Sequence, residues 1–168
     1  MQEAGYRLEF PAAPAISAEG EPAFFLSLRE EYMSLFEGPM PPFIPLIESV
    51  HKPWDKTGVS ALGAQTGYFL GDPAIDMRNK YEAAQLEIPA EYGHAPDHLC
   101  LLLEYYGAVH ANVPVADNLE YLTNHFDWLA LILEEAVKIS SALFYPSMLK
   151  FTMDIIAAET ARLNGLKE

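Results

Sequence analysis

The segment EYGHAPDHLCLLLEYYGAVHA, residues 91–111, gathers His94, Asp97, His98 and Cys100 within a few positions. A carboxylate beside an imidazole can move protons. Two histidines four residues apart can hold zinc, with Asp97 adding an oxygen ligand. A thiol near an imidazole can become a nucleophile. Each chemistry needs further company. Nucleophilic catalysis needs a strained, exposed turn such as Gly-x-Ser-x-Gly, and the chain contains none. Cys100 follows His98 by two positions, about 200° around a helix axis, so that histidine does not activate it. As the only cysteine, set in an apolar run, it reads as a small core residue. Pro96 opens the helix and leaves His94 outside it. No His-Glu-x-x-His sequence is present, and His51, His110 and His125 are scattered. We therefore expect no catalytic residue, no metal ligand and no cofactor. The plainer reading is a helix start: Asp97 faces the positive end of the helix dipole. That field keeps His98 neutral, as a hydrogen-bond partner tying the preceding loop to a neighbouring segment.

The elements that must position this pair read as helical throughout. Residues 22–37, PAFFLSLREEYMSLFE, place Phe25, Leu28, Tyr32, Leu35 and Phe36 on one face, with Gly38 and Pro39 as the stop. Pro39, Pro41, Pro42 and Pro45 then exclude a helix or a central strand, leaving a long apolar loop with Phe43, Ile44, Leu46, Ile47 and Trp54. DPAIDMRNKYEAAQLEI starts a helix with Asp72 as N-cap and Pro73 at the first position. DNLEYLTNHFDWLALILEEAVKISS reads as one helix with an Asp117–Glu120 capping box and an inner face of Leu122, Phe126, Leu129, Leu133 and Val137. A last helix spans about 146–164, ended by Gly165. The expected fold is all-α: residues 1–21 form an extended arm, and residues 22–168 a single helical-bundle domain with the proline-rich loop after its first helix.

With 168 residues the chain suits one domain with a substantial core. Its net charge of −14 disfavours nucleic acid and anionic lipid and favours cationic partners. The opening residues have no basic segment followed by an apolar one, as a secretory signal would. No apolar run approaches the ~18 residues of a membrane span. A cytoplasmic protein is expected.

The PDHLCLLLEYY segment resembles the Pro-Asp-His-Leu/Ile signature of the redox enzyme maturation proteins. These are the assembly chaperones of dimethyl sulfoxide, trimethylamine N-oxide and nitrate reductases. EYMSLFEGPMPPFIPLIESVH is similar to that family's helix end, proline loop and Glu-Ser-Val segment. NHFDWL resembles its His-Leu-x-x-Trp turn, and FYPSMLKFTMDIIAAE its closing helix, in the same order between residues 30 and 160. The resemblance implies an all-helical cytoplasmic chaperone without a reaction of its own. Such a chaperone binds the twin-arginine leader, or another segment, of a molybdenum-enzyme catalytic subunit until its cofactor is inserted. Carried over by motif, Glu48, Ser49, Pro96, Asp97 and His98 would line the peptide-docking region. An acidic receptor with apolar Leu46, Ile47 and Leu99 beside its carboxylates suits a peptide that combines arginines with an apolar stretch. His51 departs from the usual aromatic after Glu-Ser-Val, Ile47 from the usual residue before Glu, and Gln85 from a frequent glycine. Residues 1–21 are short and proline-rich beside the family's N-terminal helical part, so a second copy of the chain, in a homodimer, is one candidate to cover the difference. Two other readings stay open here: a helical metal-dependent enzyme using His94, Asp97 and His98, and a permanent acidic subunit of a larger complex.

Overall fold

The computed structural model describes residues 21–37, 43–139 and 144–166. The expected arm up to residue 20, the Gly38–Pro39 stop, and Pro41 and Pro42 of the proline loop lie outside the described residues. Among those described, the elements are helices: α1 (Glu21–Phe36), α2 (Glu48–His51), α3 (Asp72–Ala83), a 3-10 turn (Ala90–Tyr92), α4 (Leu99–Val109), α5 (Val115–Phe126), α6 (Leu129–Ile139) and α7 (Phe144–Asn164). The all-α expectation holds, the one β feature among them being an isolated bridge between Ile47 and His98. The contacts divide the chain into two compact units. One combines residues 1–44 with 129–168, and the other is the continuous stretch Pro45–Trp128.

In the first unit, α1 and α6 each pack on α7. Leu35, Phe36, Leu129, Ile132, Ala136, Leu149 and Leu163 are buried there. Tyr145 sits edge-on to Tyr32 and Phe36, with ring centroids 5.4 and 5.6 Å away. The Tyr145 N–H donates to Glu31 Oε1 at 3.0 Å, so a carboxylate of α1 serves the open N-terminus of α7. Phe25, expected on the inner face of α1, is instead 57 % exposed.

The second unit is built on α3, α4 and α5. Met77, Tyr81, Leu101, Leu102, Leu119, Tyr121 and Leu122 are buried there. Its buried phenols are satisfied by main chain: Tyr81 donates to Leu101 O at 3.0 Å and Tyr121 to Leu102 O at 2.9 Å. Gly71, not Asp72, is the N-cap of α3. A side chain at Gly71 would bring its Cβ to 2.9 Å from the Trp54 carbonyl, which accepts the Asp72 N–H at 2.8 Å. The helix stops at Ala83, short of the expected end, in a Schellman motif. Leu86 N–H donates to Tyr81 O and Gln85 N–H to Glu82 O, while Gln85 takes a φ of 56°. This left-handed position explains why glycine suits the site that Gln85 occupies. Gln85→Gly should therefore raise unfolding stability by about 0.5–1 kcal/mol in urea titration; an unchanged midpoint would contradict it.

The single helix expected from Asp117 is two. α5 begins at Val115 with Pro114 as an N-cap that supplies no side-chain bond, so Asp117 and Glu120 form no capping box. It ends at Phe126, and α6 restarts at Leu129. The break resets the helical phase: Leu129, Ile132 and Ala136 turn inward, and Val137 is 60 % exposed.

Candidate functional site

The two motif segments identified in the sequence meet in the second unit. The Leu99 N–H donates to Leu46 O at 2.8 Å and the Glu48 N–H to Asp97 O at 3.1 Å, across the Ile47–His98 bridge. The Ser49 N–H donates to Asp97 Oδ2 at 2.6 Å. Helix α2 has only Ile47 as its own N-cap, which offers no side-chain acceptor. Asp97 supplies what is missing, taking the first two amide protons of α2 through its carbonyl and its carboxylate. So Asp97 does cap a helix, but a helix 48 residues earlier in the chain. His98 is the cap of α4: its Nδ1 accepts from the Cys100 N–H at 3.2 Å. An accepting Nδ1 carries no proton, which fits the neutral imidazole expected from the helix dipole. The roles expected for the pair are exchanged. Asp97 ties the neighbouring segment down, and His98 starts the helix.

Glu48, Ser49, Pro96 and Asp97 are buried and His98 is half-buried. Asp97 Oδ1 and Ser49 Oγ are buried with no hydrogen-bond partner among the described residues. Glu48 is 1 % exposed, and its two oxygens are taken separately. Lys52 Nζ lies 2.7 Å from Oε1, and His125 Nδ1 lies 2.7 Å from Oε2. The other ring nitrogen of His125 lies 2.9 Å from Asp76 Oδ2. Since carboxylates accept and do not donate, an imidazole between two of them carries both protons. Burial alone would lower the His125 pKa; hydrogen bonds to Asp76 and Glu48, with their charges, outweigh it and raise it above the ordinary value. The same bond from His125, followed by the charge of Lys80, holds the Asp76 carboxyl below its usual range despite burial.

Sequence reasoning passed over His125 as one of several scattered histidines. Its signal was the His-x-x-Trp spacing of NHFDWL, since Trp128 Nε1 donates to His125 O at 2.7 Å. His51, where an aromatic is usual, behaves as one: its ring stacks on Trp128, centroids 5.2 Å apart and 9° from parallel. Its Nε2 also bonds Pro45 O at 2.7 Å, anchoring the end of the proline loop. Cys100 is exposed, not a core residue. Partial burial and Glu104 raise its thiol pKa, so it is no ready thiolate. Among the described residues no three His, Cys, Asp or Glu side chains are grouped to hold a metal ion, so His94, Asp97 and His98 do not form the site that a metal-dependent enzyme would need.

The His125 network predicts a pH dependence of a definite sign. A histidine whose folded pKa is raised adds stability fully present below its unfolded value of about 6.5 and lost as pH rises through the folded pKa. Asp76, with its pKa lowered, adds stability above about 3.8 that is lost as pH falls through its folded value. The urea midpoint should thus be highest between these values and decline above them, and His125→Gln should flatten the alkaline decline. An unchanged slope in that variant would remove His125 as its source.

Beside the network, residues of α3, α4 and α5 line an open pocket of about 520 Å³, with Asp76 and His125 in its wall. A family model described as the nitrate reductase delta subunit matches residues 10–137, over three quarters of the chain. The chain belongs to that family. Nitrate reductase delta family members are assembly chaperones of molybdoenzymes and not enzymes, as the resemblance of the four motifs implies. The match spans Glu48, Ser49, Asp97, His98 and His125, so the whole network falls within the family region. No curated protein and no solved structure matches the chain. Among the described residues no helix is long and apolar enough to cross a membrane.

Proposed function

We propose that the chain is a cytoplasmic, system-specific chaperone of a nitrate-reductase-type catalytic subunit. It binds the leader peptide, twin-arginine or otherwise, or another segment of that subunit. It holds the subunit until the molybdenum cofactor is inserted, before export or assembly. The docking region is the junction of residues 46–49 with 96–98. The carrying observation is that Asp97 locks the Glu-Ser-Val segment to the head of α4 through main-chain and carboxylate bonds. Glu48, Ser49, Pro96 and Asp97 act from beneath, holding this surface in one geometry, and half-buried His98 meets the client.

Capture of client from the native cell on the tagged full chain tests the reading. Mass spectrometry should find a molybdoenzyme catalytic subunit, enriched in the form lacking its cofactor. Recovery of no such subunit would sink the proposal. So would stoichiometric retention on the mature, cofactor-loaded enzyme, the behaviour of a permanent subunit. The same preparation, sized by light scattering with and without client, decides whether the working form is a homodimer.

A further inference from the structure

We infer that the two chain crossings between the compact units form a two-point hinge and that His51 is its pin. The hinge stands apart from client binding, and no step of its test needs a client.

The chain passes from one unit to the other twice, at Ile44–Pro45 and at Trp128–Leu129. Neither crossing has slack. Ile44 is 1 % exposed and its N–H donates to Leu35 O of α1 at 2.7 Å, while Leu129 is fully buried at the start of α6. Across the first crossing, Pro45 fixes its own φ and confines Ile44 to extended conformations. Across the second, Trp128 is buried, and its indole N–H is spent on His125 O at 2.7 Å. The planar peptide bonds between these residues absorb no rotation. Two attachment points on a body define a line. The freedom left between the units is rotation about the line through the two crossings, as in a door on two hinges.

His51 holds both ends of that line from within the second unit. Its ring stacks on the Trp128 indole, 9° from parallel with centroids 5.2 Å apart, and its Nε2 bonds the Pro45 carbonyl at 2.7 Å. One side chain therefore fixes two points that are far apart in sequence. Lys52 reinforces the second of them, since its Nζ lies 2.5 Å from Oδ1 of Asp127, the residue before Trp128. A phenylalanine at position 51 would stack on Trp128 but could not bond Pro45 O. The imidazole does both. That is the physical content of a histidine where an aromatic is usual: the ring keeps the second crossing, and the nitrogen adds the first.

Distances between spin labels, measured by pulsed double resonance on the full chain, read the hinge directly. Cys100, the only cysteine, is exposed in the second unit and takes one label. Ala157→Cys, at an exposed position of α7 in the first unit, takes the other. A control pair keeps both labels in the second unit, at Cys100 and at Ala116→Cys on α5. His51→Ala should widen the distance distribution between the units about twofold. His51→Phe, which preserves the stack, should give an intermediate width, and it keeps the test open if the alanine variant does not fold. The control pair should hold its width throughout. A distribution between the units that neither variant widens overturns the inference. So does equal broadening of the control pair, which would make His51 a packing residue of its own unit. A His51→Phe distribution as narrow as the wild type's overturns it too, because the proline crossing would then need no bond.

Discussion

Glu48→Gln is expected to lower the unfolding free energy by about 3 kcal/mol, read from urea titration near pH 6. The size follows from burial and from what is left behind. Glu48 is fully enclosed, and Lys52 beside it is only 12 % exposed. Removing the negative charge leaves an ammonium and an imidazolium facing an amide that can accept from one of them and opposes the other with its own N–H. Lys52 keeps Asp127, 2.5 Å away, and the Asn124 carbonyl, so part of its interaction survives. His125 keeps Asp76. The loss should shrink as pH rises and His125 gives up its proton. Combined with His125→Gln, the effects should be less than additive, because the two changes remove the same contact. Strict additivity would show that Glu48 acts chiefly through Lys52.

Asp97 should behave in the opposite way to an electrostatic anchor. Asp97→Ala removes the acceptor of the Ser49 N–H inside the protein and should cost about 2–3 kcal/mol. Asp97→Asn should cost less than about 1 kcal/mol, since its carbonyl oxygen can take the same amide proton. The present Oδ1 has no hydrogen-bond partner among the described residues, so an amide nitrogen there displaces no bond. The isosteric change also separates two meanings of the motif. If Asp97 holds the junction in shape, the asparagine variant binds client as well as the wild type. If it binds a client cation by charge, affinity falls while stability stays.

The sequence made the helical class legible because the apolar positions recur at helical spacing and prolines stand at helix starts, as Pro73 does. It also brought the Glu-Ser-Val and Pro-Asp-His segments together in expectation, through a resemblance that the hydrogen bonds between Asp97 and residues 48 and 49 now explain. The break between α5 and α6 was not legible. No glycine or proline marks it. The carbonyls near the end of α5 are taken from outside the helix: Asn124 O by Lys52 and His125 O by the Trp128 indole. Competition of that kind depends on residue 52 being near residue 124, which no local window contains. The same holds for His125 between Glu48 and Asp76, from two other helices. The exchange of roles between Asp97 and His98 was hidden for a simpler reason. Neighbouring cap-forming side chains have the same signature whether they serve their own helix or another.

The division of the chain also has a consequence for its synthesis. Residues 45–128 form their compact unit from one uninterrupted stretch, so every partner it needs has left the ribosome once Trp128 emerges. The other unit joins residues up to 44 to residues from 129 on, and α1 must wait for α7. Closing so long a loop costs only about 0.6 kcal/mol more per doubling of its length, so the penalty is one of timing. During that interval the Asp97 lock and the pocket of α3–α5 can already exist. The half that carries the Asp97 lock is thus the half that can mature first.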